Sequence, residues 1–259
     1  MSDDADGSSS QTTLTGEVPE ELTTDDLILS AHRADNDAVF PKVLDLHVET
    51  GAKVADVTYG KGVFWKNVPD TAFDLHGTDL DPEKSPTGES VDCRDLPYDD
   101  NSFDVVVLDP PYAEGFFRRN KEMLAGGDGS HSTFREHYSN GEVVDTRGSK
   151  YHGAVIDLYC AAGAEAKRVL RDDGTLIVKT QDEVSANTQE LTHVQIINFY
   201  ESQLGLYTKD LFVTVRSNTP AVSGVHTQVH ARKNHSYFLV FTFEKKPANV
   251  QYAGVDAEK

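Results

Sequence analysis

Short apolar runs and amphipathic stretches alternate along the middle of this chain. Residues 53–58, KVADVT, read as a strand running into a glycine-containing turn, and 72–81, AFDLHGTDLD, as a second strand running into acidic residues. A third, FDVVVLD at 103–109, is almost continuously apolar, as expected of a strand covered on both faces. Apolar positions fall at helical spacing over 152–170, a turn and strand follow at 172–180, and 191–206 reads as another helix. Two more strands, 209–215 and 236–243, are joined by a turn-rich loop with no helical pattern between them. The alternation predicts a doubly wound α/β domain with a mostly parallel sheet, its last two strands forming an antiparallel pair at one edge. Ligands of such sheets bind beyond the carboxyl ends of the strands, which draws attention to Asp56 within the first strand and to Asp79 and Asp109 at the ends of the next ones.

Composition adds boundaries. Residues 1–27 are rich in Ser, Thr, Asp and Glu, with no Lys or Arg before Arg33, and read as a disordered acidic tail. This leaves a domain over 28–247 and a short second tail at 248–259. The N-terminus is unlike a signal peptide, and no apolar stretch approaches the roughly 20 residues of a membrane span. Cys93 and Cys160 lack metal-ligand spacing, so no disulfide framework is expected and a reducing cytoplasm is. His131 and His137 have no partner pattern either, and no metal is assigned.

Charge changes the picture more. With 43 acidic and 24 basic residues the formal net charge is -19. So anionic a surface suits a halophilic cytoplasm, where molar salt screens self-repulsion. It also disfavours whole-surface contact with nucleic acid, so any such contact needs a local basic site. Residues 211–243 contain no Asp or Glu and carry Arg216, Arg232 and Lys233 with His226, His230 and His235. That loop is the main candidate for phosphate contact, against the plainer reading of a sheet edge that avoids charge. Segment 113–150 holds Phe116, Phe117, Arg118, Arg119 and Lys121, and reads either as a loop ordering over a substrate or as a surface insertion.

Four motifs carry chemistry. Gly60-Lys61-Gly62 follows the first strand and permits a tight turn with close ligand approach, although Trp65 stands where a dinucleotide fingerprint needs a small residue. Asp79 lies 19 residues beyond Gly60, placed to accept from a ribose diol, with Asp81 as a competitor. Asp92, read as ending a short strand, is a candidate acceptor for an adenine amine, or Asp95 and its neighbours cap the following turn. Finally, Asp109-Pro110-Pro111-Tyr112 ends a buried strand with a carboxylate and a carbonyl as acceptors, two residues that cannot donate, and an aromatic face for stacking.

These residues resemble the AdoMet-dependent amino-methyltransferases of DNA, which modify adenine N6 or cytosine N4. The Asp/Asn/Ser-Pro-Pro-Tyr/Phe motif of that family matches Asp109, Pro110, Pro111 and Tyr112. Its cofactor loop matches Asp56 to Gly62, with Val57 and Thr58 in place of the usual Pro-Phe, and its upstream Phe-Pro pair matches Phe40 and Pro41. The likeness extends over roughly residues 30–246 and includes the closing strand RKNHSYFLVFTFEK. It implies a Rossmann-like class I methyltransferase domain with a seven-stranded sheet and S-adenosyl-L-methionine as cofactor. The implied cofactor site comprises Phe40, Pro41, Asp56, Thr58, Gly60, Gly62, Asp79, Leu80, Asp92 and Cys93. The aspartate form of the motif goes more often with adenine N6 than with cytosine N4, so DNA adenine is the expected substrate. Alternatives are RNA guanine-N2 methylation, methylation of a glutamine amide, and a non-catalytic AdoMet-binding subunit. With no separate recognition domain in view, recognition is expected from the 113–150 and 216–235 loops, from another subunit, or to be short and relaxed.

Overall fold

The computed structural model describes residues 27–112, 151–185, 187–216 and 228–243. Among the described residues, nine strands form a seven-stranded sheet and a small hairpin. The strands are β1 (Ala31–His32), β2 (Lys53–Asp56), β3 (Asp74–Gly77), β4 (Phe103–Leu108), β5 (Leu170–Thr180), β6 (Glu183–Ser185), β7 (Thr188–Glu190), β8 (Tyr207–Val215) and β9 (His235–Thr242). The large sheet runs β1-β8-β9-β5-β4-β2-β3, and β6-β7 is the hairpin. All neighbours in the large sheet are parallel except β9, which is antiparallel to both β5 and β8. The expected antiparallel pair of final strands is present, but β9 is inserted inside the sheet and the two-residue β1 forms the outer edge. The short strand expected to end at Asp92 is reduced to one isolated bridge, Asp79 to Ser90.

Period-two alternation sorts the strand residues onto two cores. Ala55, Val106, Leu108, Leu176, Val178, Leu239 and Phe241 face the helical side built by α2 (His152–Val169) and α3 (Thr192–Phe199). Val54, Val105, Val107, Ile177, Phe238 and Val240 face α1 (Asn36–His47) and the 3-10 turn Val63–Trp65. Both sheet faces are therefore covered, which accounts for the nearly unbroken apolar run of β4.

Helix α1 contains Pro41, which has no N–H to offer the Asp37 carbonyl one turn earlier. The Asn67 side-chain amide donates to that carbonyl at 2.9 Å instead. On the other face, Gly163 of α2 lets Tyr200 pack flat, and the Tyr200 hydroxyl donates to the Tyr159 carbonyl at 2.8 Å. A Cβ at Gly163 would fall 2.4 Å from the Tyr200 ring tip. Gly163→Ala is thus expected to lower stability by about 2 kcal/mol, because overpacking and the lost hydrogen bond outweigh the roughly 1 kcal/mol gained in helix propensity. Urea denaturation reads the sign directly. The region 191–206, expected as one helix, is α3 followed by a π-helical turn, Tyr200–Leu204, which ends at Gly205 with φ of 68°.

Candidate active site

The alternation that builds the cores also places polar residues at the strand ends. Asp56, Asp109 and Lys179 each lie two positions beyond a residue of the α1-side core, Asp56 on β2, Asp109 just past β4 and Lys179 on β5. Ser236 of β9 joins this row, two positions before Phe238. Leu108 pairs with Val178, so one step further the chain sets Asp109 beside Lys179.

Asp109 is half-buried just past β4. Its N–H donates to the Thr58 hydroxyl at 2.6 Å, which ties the end of β4 to the glycine-containing loop. The Tyr112 hydroxyl donates to the Asp109 carboxylate. Burial pushes the carboxyl up to about 7, against lowering by the Tyr112 bond and the Lys179 charge, with Asp56 adding to the rise. Pro110 and Pro111 are buried. The Pro110 carbonyl lies 3.4 Å from the Tyr159 hydroxyl, which donates at 2.9 Å to the Lys179 carbonyl.

Lys179, which pattern reading missed inside an apolar strand, is 1% exposed. Its ammonium donates to Ser236 Oγ at 2.7 Å and sits 4.0 Å over the Phe238 ring. Burial lowers it to about 7, opposed by Asp109 and helped by Arg216. The available signal was one basic residue at the carboxyl end of a run otherwise buried on both faces.

The residues expected around a cofactor divide. Asp79, half-buried beyond β3, accepts from Gly60 N at 2.8 Å and from Asp81 N at 2.9 Å, one oxygen each. Each carboxylate oxygen keeps a second acceptor position. Gly60 has φ of 56°, and a Cβ there would meet only the Thr58 carbonyl at 3.8 Å, so the space above it is open. Gly62 serves otherwise: a Cβ there would fall 2.7 Å from the Tyr59 hydroxyl, and one at Gly77 would fall 2.6 Å from the same ring. These two glycines make room for Tyr59. Leu80 is half-buried next to Asp79.

Asp56 is 2% exposed, accepting from Trp65 Nε1 at 2.7 Å and Thr58 N at 3.1 Å. Burial pushes it up to about 7, against these two bonds, with Asp79 adding to the rise. Its side chain anchors the loop from within. Phe40 is fully buried, its ring centroid 4.8 Å from Phe64 and 5.1 Å from Trp65, so Phe40 and Pro41 lie in the α1 packing layer. The bulk of Trp65, which argued against close packing, is absorbed in that aromatic cluster. Cys93 is fully buried.

Asp92 receives Arg94 N and Nε on one oxygen, and Nε and Nη2 on the other, at 2.6–3.1 Å. These bonds fill its acceptor positions. Burial alone would raise Asp92, but Arg94 outweighs it and holds the carboxyl below its ordinary value.

Of the basic residues, Arg118, Arg119 and Lys121 lie outside the described residues, as does most of the 216–235 loop. Arg216 follows β8, donating to the Gln181 side chain at 3.1 Å and from its N–H to the Asn234 carbonyl at 2.8 Å. Arg232 is exposed and Lys233 half-buried. Near them, beyond β5, buried Asp182 accepts from His193 at 2.6 Å and Tyr237 at 3.3 Å. Among the described residues, no group of three or more His, Cys, Asp or Glu is arranged to hold a metal ion. None of the described helices is long and apolar enough to cross a membrane.

No family model matches this sequence, and no curated protein matches it. Solved structures similar to it include 1,6-didemethyltoxoflavin-N1-methyltransferase from Burkholderia thailandensis, with 1,6-didemethyltoxoflavin and S-adenosylhomocysteine bound. That match has a TM-score of 0.46 and 10% identity, covering 80% of this chain and 77% of that one. TrmN from Thermus thermophilus matches at TM-score 0.45 and 13% identity, over 80% of this chain and 48% of that one. PvuII DNA methyltransferase, cytosine-N4-specific, matches at 0.38 and 11%, over 61% and 49%. The present chain thus spans about half the length of the latter two. Its own topology is the Rossmann-like one expected from the sequence, a mostly parallel doubly wound sheet with one inserted antiparallel strand.

Proposed function

We propose that this protein transfers a methyl group from S-adenosyl-L-methionine to the exocyclic amine of a flipped-out base in DNA, with adenine N6 as the target. The observation that carries this reading is Asp109-Pro110-Pro111-Tyr112 at the carboxyl end of a central strand, where a carboxyl group and the carbonyl of a buried proline stand in sequence.

Asp79 and the open face of Gly60 hold the cofactor, Asp79 through its remaining acceptor positions. S-adenosyl-L-methionine, when bound there, would supply an electrophilic methyl carbon on a sulfonium able to leave with the electron pair of the S–C bond. A nucleobase amine is a weak nucleophile because its lone pair is delocalised into the ring. Asp109 and the Pro110 carbonyl accept the two amine hydrogens, which favours pyramidal nitrogen and frees the lone pair. Asp109 then takes the proton that the methylated nitrogen sheds, and a carboxyl poised near neutrality suits that task. Positioning and fixed dipoles supply most of the rate.

Tyr112 has two tasks. Before a base enters, its hydroxyl satisfies the Asp109 carboxylate. The incoming amine replaces that donor, and the ring becomes the stacking face for the base, which duplex stacking would otherwise keep out of reach. Arg216, Arg232 and Lys233 contact phosphates, with Arg118, Arg119 and Lys121 as further contacts from the segment after the motif.

The test is incubation with methyl-labelled cofactor and duplex DNA, RNA or no nucleic acid across a KCl series, since salt screens the acidic surface and weakens phosphate contacts alike. Label in DNA at adenine N6 is the expected result. Label at cytosine N4 changes the base, label in RNA changes the polymer, and no label in any arm overturns the proposal.

A further inference from the structure

Among the buried ionisable side chains that the proposed mechanism leaves unused is that of Lys179. Its placement is costly, because an ammonium removed from water is penalised unless a partner compensates. One hydrogen bond to Ser236 and the Phe238 face do not supply a counter-charge. The compensating charge lies one residue past the adjacent strand: continuing the β4–β5 register beyond Leu108 and Val178 brings Asp109 next to Lys179, and each charge favours the other. The Lys179 carbonyl also receives the Tyr159 hydroxyl that lies 3.4 Å from the Pro110 carbonyl. A single residue therefore borders both acceptors assigned to the substrate amine.

We infer that Lys179 is a positioning residue for that acceptor pair, its ammonium keeping Asp109 a carboxylate in the substrate-ready protein and Ser236 keeping the ammonium in place. This rests on the amine-methylation reading for its purpose, but not for its physics. A neutral Asp109 would present an O–H donor to the amine and would have no capacity for the shed proton. The groups facing Asp109 pull in different directions. Asp56 on β2 raises it, and the Tyr112 hydroxyl and Lys179 lower it. Arg216 opposes charge on Lys179. Burial, with the Asp109 charge adding to it, raises Tyr159 well above its ordinary value, so Tyr159 stays a neutral donor. Among these, only Lys179 combines opposite charge, burial and a fixed seat.

Lys179→Met removes the charge at similar length. Infrared titration of protein carrying carboxyl-labelled aspartate, with Asp109→Asn identifying the Asp109 band, reads the protonation state without catalysis. In wild type the Asp109 band is expected to titrate at about 7. In Lys179→Met its midpoint should rise by about one pH unit or more, a tenfold change in proton affinity, while the Asp56 band moves less. Ser236→Ala should shift it the same way by a smaller amount, and this variant decides the matter if Lys179→Met does not fold. An Asp109 midpoint unchanged in the folded variant overturns the inference. The acid limb of kcat/KM should follow the infrared midpoint. If wild type labels no nucleic acid, the functional reading fails while the infrared result still decides the role of Lys179.

Discussion

Asp109→Ala is expected to lower methyl transfer by about 10³-fold while S-adenosyl-L-methionine binding persists, because it deletes one of the preorganised groups aimed at the reacting amine. The backbone tolerates the change. The bond that ties this position to the glycine-containing loop runs from the Asp109 N–H to the Thr58 hydroxyl and needs no side chain. Nor does the change strand a buried charge: Lys179 already sits at about 7, and losing its counter-ion favours the neutral amine. Single-turnover transfer of label measures the rate, and calorimetric titration measures cofactor affinity. Equal loss of both would assign Asp109 to the architecture of the cofactor loop instead of the chemistry.

The second large effect concerns stability and its pH dependence. Trp65→Phe removes the indole donor to Asp56 and part of the aromatic cluster around Phe40. Asp56 has a folded pKa raised above its unfolded value, so its favourable contribution is complete below about pH 4 and is lost as pH rises through about 7. The Trp65 bond favours the ionised form and limits that loss. Without it the folded pKa rises further and the loss continues to higher pH. The substitution should therefore cost about 2 kcal/mol near pH 5.5, mostly packing, and about 4 kcal/mol near pH 8, where an ionised carboxylate loses a charge-assisted bond. Guanidinium unfolding at the two pH values measures the difference. A cost independent of pH would mean that Asp56 is served by other donors when ionised.

These effects arise where legibility from the sequence divides. The continuous apolar run of β4 and the alternation of strands with helical spacing point to a sheet covered on both faces, because a strand apolar on both sides needs cover on both. The Asp-Pro-Pro-Tyr turn is equally plain, because proline chemistry is local and its position at a strand end follows from the run before it. The place of Asp79 just beyond β3 was legible for the same reason: a strand followed by an acid is a local pattern. The roles of Asp56 and Asp92 were not. Both occur as acids near strand ends, yet Trp65 claims the first and Arg94 the second. Which lone pairs are already taken is a property of neighbours in space. The pairing of Gly62 and Gly77 around one tyrosine ring is of the same kind, joining positions on different elements.

By itself, the sequence determined the layers of the sheet, the acidic surface and the presence of an acceptor-rich turn, because hydrophobic period, net charge and proline geometry act over a few residues. Only the tertiary structure decided that β9 enters the sheet between β5 and β8, and that Asp56, Asp109, Lys179 and Ser236 line up across four strands. Strand order and register arise from contacts between segments far apart in the chain. The ionisation of Asp56, Asp109 and Lys179 depends on that arrangement.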